Sequence, residues 1–249
     1  LARAVTINGQ IHANQDINIV SGSNTVDYDT GTATKITGTG TAPTLAVDVS
    51  ALGGIYANSI NLVGTESGLG VRNAGNINAT QQIVLTNSGK IENTGTIKTT
   101  KAQTSLVSVN ATGTTGSIEH SGTIGSYGMI DMQADKDILL NGGIIRKENP
   151  GTNAQLMPDI LRMDAAGDLK MSNTSDVRNF TVVNNEANIY MHSGRDTFVD
   201  SQSIVGSNGG ISIDADRYVR LLDGSNTFSR YAPLTVHSRN GTLIDNSRV

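Results

Sequence analysis

The chain has 249 residues, a formal net charge of −4 and no cysteine. Hydrophobic residues make up 37% of it and charged residues 16%, so the chain is neither basic enough to favour a nucleic-acid partner nor polar enough to favour disorder. The absence of cysteine excludes disulfides and thiolate metal sites, and no apolar run approaches the ~20 residues of a membrane-spanning helix.

The first patterned element opens at Gly9 and introduces a unit that recurs along the chain. The unit is a glycine, any residue, an isoleucine, any residue and a small residue, followed by two alternating aliphatic residues. Full copies begin at Gly9, Gly53, Gly75 and Gly122, and shorter ones at Gly95 (Ile97), Gly142 (Ile144), Gly209 (Ile211 and Ile213) and Gly241 (Leu243). The leading isoleucines recur with a period of about 20–22 residues, which is typical of a solenoid.

Apolar and polar residues alternate within each unit, as in Ile60 and Leu62, and this period of two indicates short strands. Segments 53–57, 60–63 and 69–71 predict three strands per coil, and no helical stripe persists. We expect an all-β fold, a right-handed single-stranded parallel β-helix that runs through residues 1–249. The small residues of the repeat are expected to form one interior row, namely Ala13, Ala57, Ala79 and Ser126.

Segments that leave this pattern predict protrusions. Residues 24–42 are rich in threonine and glycine, and we expect a loop or β-hairpin there. Residues 147–159 contain Pro150 and Pro158 and predict a second protruding loop. The repeat is looser between residues 162 and 200, although segments 168–171, 180–183 and 189–191 still predict strands.

The run from Val47 to Gly75, with Gly53-Gly54-Ile55-Tyr56-Ala57-Asn58 within it, resembles two-partner-secretion exoproteins of the filamentous haemagglutinin and contact-dependent growth inhibition (CdiA-like) family. Residues 1–75 resemble the end of the secretion domain, and residues 76–249 resemble the first haemagglutinin repeats. The resemblance implies a secreted or cell-surface protein, associated with the outer membrane of a Gram-negative bacterium. It also implies a dedicated outer-membrane transporter and a stalk for adhesion or toxin delivery. The Asn-Pro-Asn-Gly-type secretion motifs of the family do not occur in this chain.

Carboxylates grouped on one outer face raise the alternative of a polysaccharide-active enzyme. Asp131, Asp135 and Asp137 alternate outward, as do Asp214 and Asp216, and paired carboxylates can act as acid and base. Spacing alone does not make a site, and we favour a solvated face with turn caps. The four histidines, His12, His120, His192 and His237, lack metal-like spacing and are expected on the surface or in turns.

The candidates for partner binding are therefore exposed residues of the protrusions and turns, and these are Asp27, Tyr28, Asp29, Lys35, Tyr127 and Tyr231. Asp27 and Asp29 could also hold a cation, although turn residues are the simpler interpretation. The favoured function is a structural stalk or adhesin segment, with direct receptor or glycan binding through the loops as the alternative. We expect no catalytic residue, cofactor, metal or nucleic-acid partner, and a monomer.

Overall fold

The computed structural model describes residues 2–27, 29, 32–101, 105–147, 160–180 and 187–249. Every regular element in these residues is a β-strand. The described part of the chain contains no helix with the length and apolar character needed to cross a membrane. The strands wind into a parallel β-solenoid of ten coils, so the predicted all-β fold with three strands per coil is confirmed.

The strands follow one another coil by coil. Coil 1 holds β1 (Val5–Ile7), β2 (Gln10–His12) and β3 (Asp16–Ser21), and is followed by a hairpin of β4 (Asn24–Val26) and β5 (Ala33–Lys35). Coils 2 and 3 hold β6 (Leu45–Val49), β7 (Gly54–Gly64), β8 (Gly70–Asn73) and β9 (Asn76–Asn87). Coils 4 and 5 hold β10 (Ile91–Asn93), β11 (Thr96–Thr99), β12 (Leu106–Ala111), β13 (Ile118–His120), β14 (Thr123–Ser126) and β15 (Met129–Ala134).

The second half of the solenoid repeats this arrangement. Coils 6 and 7 hold β16 (Ile138–Asn141), β17 (Ile144–Lys147), β18 (Ile160–Ala165), β19 (Leu169–Ser172), β20 (Asp176–Asn179) and β21 (Asn188–Ser193). Coils 8 to 10 hold β22 (Thr197–Val199), β23 (Ile204–Ser207), β24 (Ile211–Ala215), β25 (Tyr218–Leu221), β26 (Asn226–Ser229), β27 (Leu234–Ser238) and β28 (Gly241–Ile244).

Parallel pairing of equivalent strands creates three faces. Face 1 is a ten-stranded sheet that runs from β1 to β28. Faces 2 and 3 belong to one 16-stranded sheet, because β7 and β9 are long enough to bend from one face to the next. Face 2 is the run of strands from β2 to β26, and face 3 is the run from β3 to β27.

The core is a set of aliphatic columns that run along the axis. On face 2, Ile55, Ile77, Ile97, Ile124 and Ile145 are successive Cα partners and are at most 1% exposed. Burial of each such side chain stabilises the fold by about 1.5–3 kcal/mol before conformational entropy is counted. Adjacent coils supply most of this burial, because each coil is only one strand thick.

The register corrects the phase of the predicted repeat in three places. Ile145, not Ile144, pairs with Ile124. Ile211 pairs with Ile189 in face 3, so the unit at Gly209 belongs to another face than the unit at Gly53. Leu243 lies on face 1. The predicted period holds for some coils, with Asn73 and Asn93 20 residues apart. Other coils are longer, because their turns carry extra residues.

The predicted interior row is present, but its later positions hold larger side chains. Ala57, Ala79, Thr99 and Ser126 occupy consecutive levels of this row, and Ser126 then pairs with Lys147, which is 4% exposed. A buried lysine interrupts the row because the strand alternation, not side-chain size, decides which residues face inward.

The turn that leads into face 2 changes its chemistry half-way along the solenoid. Glycines occupy one position of this turn in coils 1 to 6, the last being Gly143, and a Cβ at most of them would overlap the carbonyl oxygen of the coil below. Positive φ enters this turn at Gly142 (73°) in coil 6, and from coil 7 onward non-glycine residues also adopt it, beginning with Asn173 (53°) and Thr174 (59°). Serine then replaces glycine at the turn, as at Ser175, which is fully buried.

The part of the chain that was expected to be looser is regular. Residues 160–165, 169–172 and 188–193 are strands β18, β19 and β21. Phe180 follows β20 and is not part of a strand, while residues 181–183 lie outside the described residues. Residues 148–159 of the second predicted loop lie outside them as well.

Candidate interaction surface

A β-hairpin leaves the solenoid between coils 1 and 2, inside the segment that the sequence marked as a protrusion. Strands β4 and β5 pair antiparallel, with Asn24 opposite Lys35 and Val26 opposite Ala33. The base of the hairpin is closed by a backbone hydrogen bond from Ile36 N to Ser23 O (2.8 Å). These are the only antiparallel strands in the described part of the chain.

An ion pair anchors the hairpin to the solenoid. The Arg3 guanidinium donates from Nε to Glu66 Oε2 (2.8 Å) and from Nη1 to Thr39 O (2.9 Å), and Ser23 Oγ also donates to Glu66 (3.2 Å). The hydrogen bond from Arg3 lowers the pKa of Glu66, with burial acting in the opposite direction. Lys35 Nζ donates to Ser67 Oγ (2.9 Å) on the same turn as Glu66. A cleft of about 280 Å³ lies between residues 2–3, 20–24 and 36–39.

The predicted binding residues do not converge. Asp27 and Asp29 lie in the hairpin turn, where Asp27 Oδ1 accepts the Asp29 amide hydrogen bond (3.1 Å). Tyr28 lies outside the described residues. Tyr127 is in the turn between β14 and β15, and Tyr231, 67% exposed, is in the turn between β26 and β27. Four coils separate these tyrosines, or about 19 Å along the axis.

The carboxylates considered as catalytic bind neighbouring coils. Asp135 Oδ2 accepts a hydrogen bond from Gly113 N (2.7 Å) and Asp137 Oδ1 from Asp168 N (2.8 Å). The second contact starts a series, since Asp168 accepts from Asp196 N (3.2 Å) and Asp196 from Tyr218 N (3.2 Å). We call Asp137, Asp168 and Asp196 the aspartate staircase. Each of its carboxylates caps a backbone donor of the next coil.

The other candidate carboxylates also have local partners. Asp131 Oδ2 accepts from the Gln133 side-chain amide (2.8 Å). Asp214 Oδ1 lies 2.9 Å from His237 Nδ1, and Arg239 Nε lies 3.7 Å from Asp216 Oδ1. Each group therefore has a nearby polar side chain that accounts for its position on the outer surface.

Three of the four histidines lie on the surface, as expected. His12 stacks on Tyr56 with ring centroids 4.6 Å apart, and His192 and His237 pair with aspartates of neighbouring coils. His120 is the exception, because it points into the core and is 1% exposed. Within the described residues, no group of three or more histidine and acidic side chains is placed to hold a metal ion.

Sequence reasoning missed the interior contacts of His120. Asn73, Asn93 and His120 occupy consecutive levels of the face 1 core and are joined by side-chain hydrogen bonds. Each of them stands two residues before a repeat glycine, at Gly75, Gly95 and Gly122. That spacing was the available signal. The Arg3–Glu66 pair had none, since its residues are 63 positions apart.

Comparison with known proteins gives these features a context. Residues 1–99 match the model of the TPS secretion domain. A tRNA nuclease CdiA-2 of Burkholderia pseudomallei is 57% identical over 79 residues, which is 32% of this chain and 2% of that protein. A 16S rRNA endonuclease CdiA of Enterobacter cloacae is 38% identical over 167 residues, 62% of this chain and 5% of that protein. A toxin CdiA of Escherichia coli is 44% identical over 92 residues, 36% of this chain and 3% of that protein.

The chain thus spans only a few per cent of the length of these relatives. No solved structure matches it. The resemblance stated from residues 47–75 is confirmed by the domain match and by the relatives. The domain match and these relatives support a CdiA-like two-partner-secretion exoprotein, secreted to the surface of a Gram-negative bacterium.

Proposed function

We propose that this chain is a structural segment of its exoprotein, a shaft that holds other parts of the whole protein away from the cell. The observation that carries the proposal is the continuous parallel pairing of the ten face 1 strands, in which the register shifts at one place, between Leu45 and Val47 of β6. A stack in which every coil pairs with the next acts as a rigid spacer, because the position of one end fixes the position of the other along the axis.

The relatives support the proposal that this segment holds other parts of the exoprotein away from the cell. They are named for different activities, a tRNA nuclease and a 16S rRNA endonuclease, yet each contains a stretch similar to part of this chain. A stretch common to proteins with different targets does not determine the target. We therefore assign contact-dependent growth inhibition to the whole exoprotein, and its delivery at a distance to this segment.

We also propose an outer-membrane transporter of two-partner secretion as a partner of residues 1–99. The match to the TPS secretion domain supports this partner. The hairpin of β4 and β5 departs from the regular coils in this region, and the Arg3–Glu66 pair holds its ends through Ser23 and Thr39.

The alternative is that the hairpin binds a receptor or a glycan on another cell directly. Its support is that the hairpin is held in place by Arg3 and Lys35 and borders a cleft of about 280 Å³. Asp27, Asp29 and Lys35 would then contact the ligand, with Tyr28 as a further candidate. Tyr127 and Tyr231 would serve separate contacts on other coils.

Removal of the hairpin from the full-length exoprotein discriminates these functions. Residues 24–35 are replaced by two glycines, since Ser23 and Ile36 already meet at the hairpin base. Surface display is measured with an antibody against a distant part of the exoprotein, and attachment to target cells is measured at equal display. A matched control is Arg72→Ala, which removes the exposed Arg72–Asp48 ion pair of face 1.

The shaft function predicts unchanged attachment per displayed molecule. Loss of attachment at normal display would replace it with direct binding by the hairpin. Loss of display alone, with a folded chain in the cell, would assign the hairpin to the transporter contact.

A further inference from the structure

A ladder of three polar side chains crosses the otherwise apolar core of face 1. Asn73, Asn93 and His120 follow Val49 in the same column, and Leu140 comes after them. All three polar residues are at most 2% exposed. Such groups are stable in a core only when their hydrogen bonds are made.

The hydrogen bonds of the ladder run in one direction. Asn73 Nδ2 donates to Asn93 Oδ1 (2.8 Å), and Asn93 Nδ2 lies 3.0 Å from His120 Nδ1. An amide nitrogen is only a donor, so His120 Nδ1 is the acceptor. The other ring nitrogen, Nε2, lies 3.2 Å from Ile144 O and must carry the proton. The contacts therefore specify neutral imidazole in a single tautomer.

The backbone of Gly143 packs directly against the ring. A Cβ at Gly143 would lie 2.5 Å from His120 Cδ2, so the absence of a side chain there makes room for the imidazole. Gly143 is also the last glycine of the close-packed column of this turn, which continues with Ser175 in coil 7. His120 thus sits where two kinds of coil are joined.

Within the described residues, the ring nitrogens of His120 contact Asn93 and Ile144 and no carboxylate. Glu92 and Glu119, on β10 and β13, alternate to the outer surface, where Lys90 bridges them at 3.4 and 3.1 Å. Strand β16 above contributes no titratable residue. Strand β17 contributes Arg146, which pairs with Asp176 (2.6 Å), and Lys147, which is itself a cation.

We infer that the Asn73–Asn93–His120 ladder is an acid-sensitive joint, which ties coils 3 to 6 together at neutral pH and loosens when His120 takes up a proton. Protonation turns Nδ1 into a donor that faces the donor Asn93 Nδ2. The hydrogen bond is lost and two N–H groups oppose each other in a core that excludes water.

The direction of the pH effect follows from the burial of the ring. Burial lowers the pKa of His120 to about 4 from its ordinary value of 6.5, with the hydrogen bonds to Ile144 and Asn93 acting in the opposite direction. Between these values the unfolded chain binds a proton that the folded chain does not. The stabilisation is therefore complete above pH 6.5 and is lost as the pH falls towards 4. The unfolding equilibrium constant rises by a factor on the order of 300 across this window.

The test compares urea unfolding of the full chain at pH 7.5 and 4.5 in the wild type, in His120→Asn and in His12→Asn. Asparagine at 120 extends the ladder without a titrating group, and His12 is the exposed control. Between pH 7.5 and pH 4.5 the unfolding equilibrium constant should rise in all three proteins. In the wild type and in His12→Asn it should rise by up to about two orders of magnitude more than in His120→Asn. Equal pH dependence in all three proteins would overturn the inference.

A second measurement decides the matter if His120→Asn does not fold. The ring signals of the histidines are followed by NMR in the wild-type protein from pH 8 to 4, with His12→Asn, His192→Asn and His237→Asn used for assignment. The expected result is one histidine that stays neutral, protonated on Nε2, until the pH approaches 4. A His120 ring that titrates near 6.5 in the folded chain would refute the inference.

Discussion

A single glycine column shows how closely the coils approach. A Cβ at Gly95 would overlap the carbonyl oxygen of Gly75, whereas a Cβ at Gly9, in the same column of coil 1, would meet nothing within 4 Å. We expect Gly95→Ala to lower the free energy of unfolding by about 2–3 kcal/mol, because backbone and not a mobile side chain must move. Gly9→Ala should change it by less than about 0.5 kcal/mol. Chemical denaturation measures both, and similar values for the two variants would contradict the close packing of this turn.

The aspartate staircase allows backbone capping to be separated from ion pairing. Asp168 accepts hydrogen bonds from Asp196 N (3.2 Å) and from Arg195 Nε (3.0 Å). We expect Asp168→Ala to cost about 1–2 kcal/mol of stability, because it leaves a backbone donor unpaired. Arg195→Ala should cost less, because this ion pair is exposed to solvent and screened by salt. Denaturation at low and high salt tests this order, and a larger effect of Arg195→Ala would assign the staircase to charge pairing instead.

The same carboxylate has a predictable dependence on pH. Burial raises the pKa of Asp168, but the hydrogen bonds from Arg195 and Asp196 N lower it further, and the net shift is downward. Its contribution is therefore present above the ordinary value of 3.8 and is lost as the pH falls below it. This window lies below that of His120, so the two effects separate in a pH series on the Asp168→Ala and His120→Asn proteins.

At the scale of elements, the hairpin should open independently of the solenoid. Asn24 and Lys35 bind Thr65 and Ser67 of the solenoid directly, and the Arg3–Glu66 pair holds the two ends of the hairpin through Ser23 and Thr39. We expect Arg3→Ala to speed hydrogen exchange at the β4 and β5 amides while exchange in β7 and β9 stays slow. Arg72→Ala, which breaks an ion pair on face 1, is the matched control. Equal acceleration in the hairpin and the coils would mean that Arg3 stabilises the whole stack.

The strands themselves could be predicted because alternation is a local property. Ile60 and Leu62 face the core in β7 as their spacing requires. The phase of the repeat could not be fixed in the same way, since Ile144 and Ile145 are adjacent and equally apolar. Only the pairing of Ile145 with Ile124 shows which of them is buried. The positive φ values at Asn173 and Thr174 replace a glycine turn with a different one, and so the glycine signal disappears there.

At the scale of the whole molecule, the interaction surface was less predictable than the fold. The protruding segment was visible in composition, but its anchor joins Arg3 to Glu66 across the chain, and nothing near either residue marks the pair. The His120 ladder was hidden for a related reason, because a histidine is usually a surface residue. Stacking places His120 directly above Asn93 of the preceding coil, and the sequence pattern of one coil does not show that neighbour.

The solenoid should tolerate the loss of one whole coil but not of half a coil. Val205 and Thr227 are Cα partners on face 2. Deletion of residues 205–226 joins Ile204 to Thr227, so that Thr227 takes the position of Val205 in the preceding coil. Each remaining strand keeps a parallel partner of its own face, and the stack shortens by about 4.8 Å. Deletion of residues 205–215 removes β24 and all of β23 except Ile204, so that face 1 residues follow Ile204 directly and apolar side chains of two faces are left uncovered. We expect the whole-coil deletion to keep a β-rich far-ultraviolet spectrum and a cooperative unfolding transition, with a slightly shorter long dimension in solution scattering. The half-coil deletion should aggregate or lose cooperativity, and equal behaviour of the two proteins would contradict a stack held together level by level.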